Sequence, residues 1–103
     1  MRTAATGREA EETTSLPALV FVSRRQDGAS RRMESLVAWV KVTQKKRLQV
    51  IEVDADRQQS VARSLAVRRI PSLVVVKNRR VVGRLEGRAT GRQIDELIRP
   101  HLG

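Results

Sequence analysis

Few side chains in this sequence are equipped for chemistry. A serine nucleophile at Ser30 would need a base, and the only histidine, His101, lies 101 − 30 = 71 residues further on. Ser30 therefore reads as a helix cap and not as a nucleophile. Asp54 and Asp56 resemble a carboxylate pair for Mg²⁺, but an isolated Asp-x-Asp more simply ends a strand and caps the next helix. Neither a Walker loop nor a Gly-rich dinucleotide turn is present. There is no cysteine, so no thiolate is available as nucleophile, metal ligand or redox centre. Neither a catalytic residue nor a metal or cofactor site is expected. What remains is arginine, a planar, permanently charged donor suited to carboxylate or phosphate. It recurs in pairs at Arg24-Arg25, Arg31-Arg32, Arg68-Arg69 and Arg79-Arg80, with Arg88 close behind.

The charge balance sharpens that reading. The 103 residues carry 21 basic and 11 acidic side chains, a formal net charge of +10, and 17 of the basic residues are Arg. Such a surface favours nucleic acid, acidic protein segments or phosphate-bearing ligands. An Arg-, Ala- and Val-rich composition is also what GC-rich coding DNA produces, so the placement of the arginines says more than their number. Only Phe21 and Trp39 are aromatic, so the core must be aliphatic. No apolar run approaches the ~20 residues of a membrane helix, and no membrane partner is expected. Met1 to Leu16 lacks the apolar stretch of a secretory signal, and Glu9, Glu11 and Glu12 argue against a transit peptide. The expected compartment is the cytoplasm.

These candidates must be positioned by a single domain. Residues 1–16 read as a tail or a weak helix, and residues 17–103 as the domain. Ala18-Leu-Val-Phe-Val22 is a short apolar run typical of a buried strand. After a polar loop, Ser30 is placed to cap a helix in which Met33, Leu36, Val37 and Val40 share one face. Met33 and Trp39 read as packing residues. Leu48–Val53 forms a second strand, and Arg57–Ala66 a shorter helix with Val61, Ala62 and Leu65 inward. Pro71 precedes the central strand Leu73–Val76, which turns at Lys77–Arg80 into Val81–Leu85. Thr90 and Gln93 have the spacing of a capping box, opening a last helix with Ile94, Leu97 and Ile98 that Pro100 stops. The order β-α-β-α-β-β-α implies an α/β/α sandwich around a mixed sheet of four strands, or five if the N-terminal segment adds one. Strands joined through helices are expected to run parallel, and the last pair antiparallel.

This order, with Ile70-Pro71-Ser72 just ahead of the last two strands, resembles the thioredoxin family. In that family a cis-proline faces a Trp-Cys-Gly-Pro-Cys site at the start of the long helix. The matching segment here is Gln26-Asp27-Gly28-Ala29-Ser30, and Asp27 to Pro71 spans 71 − 27 = 44 residues, the spacing the family has. The alignment runs without a gap from Ala18 to Gly103. It places Val50–Asp56 on the second core strand, Lys77-Asn78 on the strand turn, and Gly87 on the glycine that ends the last strand.

The departures carry the functional reading. Asp27 and Ser30 occupy the two cysteine positions, and Gln26 replaces the tryptophan before them. Phe21 replaces the buried aspartate that manages protons in the family, and Glu52 replaces its lysine partner. The resemblance thus implies a thioredoxin fold without thiol–disulfide exchange, which requires an attacking thiolate. It also implies that Arg24, Arg25, Arg31, Arg32, Arg68, Arg69 and Arg88, with Gly87 and the Ile70-Pro71-Ser72 loop, border one groove. A protein adaptor or chaperone-like module that takes an acidic or extended segment is the leading expectation. The alternatives are nucleic-acid binding through charge, and an accessory subunit of an oxidoreductase whose cysteines come from a partner.

Overall fold

The computed structural model describes residues 16–103. The expected N-terminal tail or weak helix therefore lies, but for Leu16, outside the described residues. Four strands and three α-helices follow: β1 (Ala18–Ser23), α1 (Gly28–Thr43), β2 (Gln49–Asp54), α2 (Gln59–Ser64), β3 (Ser72–Lys77), β4 (Arg80–Glu86) and α3 (Gly91–Ile98). A 3₁₀ turn, Arg99–His101, ends the series, with Pro100 in its first residues.

Alternation within β1 and β3 builds two cores, because successive side chains of a strand point to opposite faces. Leu19, Phe21, Leu73 and Val75 pack with Met33, Val37 and Val40 of α1 and Ile94 and Ile98 of α3. Val20, Val22, Val74 and Val53 turn the other way, against Ala62 and Leu65 of α2. A strand buried on both faces reads as a continuous apolar run, which is how both central strands look in the sequence. The result is the expected sandwich: α1 and α3 on one face, α2 on the other, and a sheet in the order β2-β1-β3-β4.

One expectation about the sheet is overturned. β1 and β2 are parallel, but β3, although reached through a helix, runs antiparallel to β1. The length of α2 explains this. Six helical residues rise about 9 Å, less than half of the ~20 Å covered by a six-residue strand. The chain leaves β2 at the end where Asp54 faces Ser23 and re-enters beside the same end, where Ser72 faces Val22. α2 is also shorter than Arg57–Ala66, and Val61 is exposed instead of inward. The β3–β4 hairpin closes through Asn78 and Arg79, both with positive φ (52° and 65°), as a two-residue turn matched to strand twist requires. The capping box at the start of α3 forms as its spacing implies: Gln93 N donates to Thr90 Oγ1 (3.1 Å) and Thr90 N to Gln93 Oε1 (2.8 Å).

Phe21 is the largest fully buried side chain and sits at the centre of the α1/α3 core. Deleting its ring leaves a cavity that the surrounding aliphatic side chains fill only in part. Phe21→Ala should cost about 3–5 kcal/mol, seen in urea unfolding as a lower midpoint with an unchanged slope.

A candidate groove at the helix start and the cis-proline

The strand ends decide what meets. The carboxyl end of β1 lies beside the amino end of β3 through the Val22–Ser72 pair, and Ser72 in turn faces Glu86 at the end of β4. Three loops therefore emerge at one edge of the sheet: residues 24–27 ahead of α1, residues 65–71 ahead of β3, and Gly87 onward after β4.

In the first loop the chain turns tightly, with Asp27 N donating to Arg24 O (3.0 Å). Asp27, not Ser30, is the cap of α1: its Oδ2 accepts from Ser30 N at 2.7 Å. Ser30 lies one turn into the helix, 1% exposed, and its Oγ accepts from Arg24 N at 3.2 Å. An aspartate in the β region with its oxygen on the third helical N–H is the favoured cap geometry, so the local rule selects the residue three places earlier than the sequence reading did. The hydrogen bond from the Ser30 N–H holds the Asp27 carboxyl below its usual range; the Ser30 hydroxyl adds to this, desolvation opposes it, and the charges of Arg24 and Arg32 contribute less. The positive end of the helix is thus already faced by a carboxylate of this chain. Gln26 is exposed, Gly28 opens the helix, and Ala29 is half-buried.

The second and third loops interlock. The Ile70–Pro71 peptide bond is cis. Gly87 N donates to Pro71 O at 2.7 Å, Ser72 Oγ donates to Arg69 O, at 2.6 Å, and Arg68 N donates to Glu86 Oε1 at 3.3 Å. Gly87 has φ +84°, a conformation that suits glycine, and the Arg69 guanidinium lies 3.4 Å from where a Cβ would stand. Pro71, Ser72 and Gly87 are buried, whereas Arg68 and Arg69 are exposed. Neither the N–H nor the C=O of Ile70 has a hydrogen-bond partner among the described residues.

The sequence-selected arginines divide. Arg69 is in place against Gly87, beside Pro71. Arg24 turns away to pair with Asp56 (Nε to Oδ1, 3.1 Å), an exposed pair of the kind worth at most about 1 kcal/mol. Arg25, Arg31, Arg32, Arg68 and Arg88 are exposed and have no ion pair among the described residues. Asp54 does not cap α2; its Oδ1 accepts from Asp56 N and Arg57 N and shapes the loop, and the cap position is taken by Gln58, whose Oε1 accepts from Asp54 N (3.0 Å) and not from the helix. The sequence reading missed Arg84. From β4 it donates Nη1 to Ala66 O (3.1 Å) and Nη2 to Leu65 O (2.9 Å), clamping the end of α2 where Ala66 adopts φ +56°. That clamp sets the course of the loop toward Arg68 and Pro71. Its only signal in the sequence was a single charged residue inside the otherwise uncharged run Val81–Leu85.

Fold and loop geometry together define a thioredoxin-like domain. The thioredoxin family model matches residues 15–100, and the chain belongs to the thioredoxin family. Thioredoxin 2 of Plasmodium falciparum is 30% identical over 57 residues, 55% of this chain. The match spans about a third (36%) of that relative's own length. Among solved structures, a thioredoxin from Nicotiana alata aligns with TM-score 0.81 at 17% identity, over 96% of this chain and 87% of its own. A malaria-parasite thioredoxin-2, described as a component of protein secretion machinery, aligns with TM-score 0.76 at 20% identity, over 82% of each chain.

The cap gives a test with a defined sign. A carboxyl whose pKa is lowered by folding contributes stability above its unfolded pKa and loses it as pH falls through its folded one. Asp27→Ala should lower the melting temperature at neutral pH. Asp27→Asn, which retains a capping oxygen, should lower it much less. The gap between wild type and Asp27→Asn should close as pH falls through and below the carboxylate range, followed by thermal unfolding at a series of pH values.

Proposed function

We propose that this thioredoxin-family chain has no thiol–disulfide activity of its own and binds an extended, acidic segment of another protein in the groove beside cis-Pro71. The observation that carries the reading is the open main chain of Ile70, flanked by the exposed Arg68 and Arg69. An extended segment can add to such an edge as a strand, with main-chain bonds for affinity and side chains for selectivity. Arg68 and Arg69 then meet carboxylates in charge-assisted bonds, and Arg25, Arg31, Arg32 and Arg88 supply a field that concentrates anionic partners.

The former redox centre supports the same reading. Asp27 and Ser30 are engaged in capping and in holding the loop, and neither offers a sulfur. Phe21 is fully buried at the place of the family's proton-handling aspartate, and its neighbour in register, Glu52, is exposed. A protein segment is favoured over nucleic acid because the groove offers no aromatic face for base stacking: Phe21 is in the core and Trp39 lies along α1. A thioredoxin-2 described as a secretion-machinery component is in keeping with this fold serving as part of an assembly.

Two measurements test the proposal. The purified protein should reduce insulin disulfides no faster than buffer; catalytic turnover without added thiol would end the redox-inactive reading. A labelled extended peptide alternating Glu with Val should bind, more weakly at physiological salt than at low salt. Arg68→Glu with Arg69→Glu should weaken it by about tenfold or more, about 1.4 kcal/mol, while Arg79→Glu with Arg80→Glu, an equal change of net charge, should weaken it far less. Equal losses from the two folded double variants would mean that bulk charge, not the groove, holds the peptide.

A further inference from the structure

The outer side of the long helix α1 carries, toward its carboxyl end, exposed apolar residues that its core packing does not use. Met33, Val37 and Val40 face the core. Arg31, Ser35, Ala38 and Val42 recur at i, i+4, i+7 and i+11 on the opposite side, and all four are exposed. Trp39 adjoins Ala38 and Val42 there. It is the only tryptophan of the chain and is 67% exposed, with Val42 69% exposed. Its assignment to the core on sequence grounds is therefore wrong, for a geometric reason: at 100° per residue it lies well off the Met33–Val37–Val40 face. A helix packed on one side normally shows solvent a polar opposite face, whereas this one ends in three adjacent apolar residues.

The surroundings say what would cover them. Arg31 stands at one end of the stripe, and Lys45 and Lys46 follow the helix at the other; all three are exposed. Between α1 and α3, on the other flank of the indole, a cleft of about 60 Å³ is lined by Trp39, Val40, Thr43, Gln44, Gly91, Asp95 and Ile98, room for a few waters. Exposed Trp is the side chain most often found as a binding anchor. The exposed Glu34 lies one turn before Ala38, but Arg31, Lys41, Lys45 and Lys46, also exposed, outnumber it. An apolar centre with a cationic border, in a chain of net charge +10, disfavours a second copy of the same chain and matches an apolar ridge bordered by carboxylates.

We infer that the outer face of α1, centred on Trp39 with Ala38 and Val42, is a docking surface for an acidic amphipathic helix of a partner protein. The apolar ridge of that helix covers Ala38, Val42 and the indole of Trp39, and its carboxylates meet Arg31 at one end and Lys45 and Lys46 at the other. From Arg31 to Val42 the stripe runs about 16 Å, three turns of a docked helix. The surface is separate from the groove and does not depend on the groove's role.

The single tryptophan makes the test direct. A synthetic helix of about five turns, with Leu along one face and Glu on the others, is titrated into the folded protein while Trp39 emission is followed. Binding should shift the emission to the blue and protect it from iodide quenching. Trp39→Ala and Val42→Glu, both at exposed positions, should each weaken binding of the labelled helix about tenfold or more. The Arg68→Glu, Arg69→Glu protein should bind no more weakly than the Arg79→Glu, Arg80→Glu protein, so failure of the groove reading leaves this one standing. The inference is overturned if saturating peptide leaves the emission unmoved or if Val42→Glu binds as wild type. It is overturned equally if the shift comes with protein concentration alone, or from anionic vesicles and not from the helix.

Discussion

The antiparallel pairing of β1 with β3 is the constraint on which the rest depends. Among the described residues these two strands alone have neighbours on both sides, and their alternating side chains supply the centre of both cores. Their register also places Val22 against Ser72. That single pair brings the start of α1, the cis-proline loop and the end of β4 to one edge of the sheet. If β3 entered in the other direction, the same residues would make equally apolar strands, but Pro71 would open at the far end from Asp27.

Around that edge the chain ties its loops together through its own side chains and main chain. The cap on α1, the turn at Asp54, the Arg84 clamp on α2 and the Gly87–Pro71 bond each close main-chain donors or acceptors. Buried or tightly turned main chain normally has all its partners. Among the described residues the N–H and C=O of Ile70 have no partner, as is true of Arg25, Gln26, Arg88 and Ala89 in the neighbouring loops. Ile70 differs in lying between the exposed Arg68 and Arg69 on one side and the buried cis-proline on the other. The edge is built without a thiol: Asp27 caps α1 and the buried Ser30 holds the loop through Arg24 N. Strand order and main chain make this edge, whereas thiol exchange would need a thiolate.

The two faces of α1 show the same division. Its inner face is held by the α1/α3 core and varies only at the cost of stability. Its outer face carries no part of either core, and the indole stands largely exposed there among the described residues. The groove at the amino end of α1 and the tryptophan toward its carboxyl end are joined by one rigid helix.

The sequence by itself determined what depends on neighbours along the chain. Strand runs, helical periodicity, the Thr90–Gln93 box and the lack of any thiol are local patterns, and the gapless order of motifs was enough to imply the family. Tertiary structure decided what depends on distance through space. The direction of β3 turned on the length of a six-residue helix. The fate of Arg24 turned on Asp56, 32 residues away, and the clamp of Arg84 on carbonyls 18 and 19 residues before it. Asp27 outcompeted Ser30 as the cap because the turn at Arg24 set where the helix could begin. Trp39 faces outward because helical phase, once Met33 and Val37 were committed to the core, left it no other side. Composition records which groups are present; only the path of the backbone decides which of them meet.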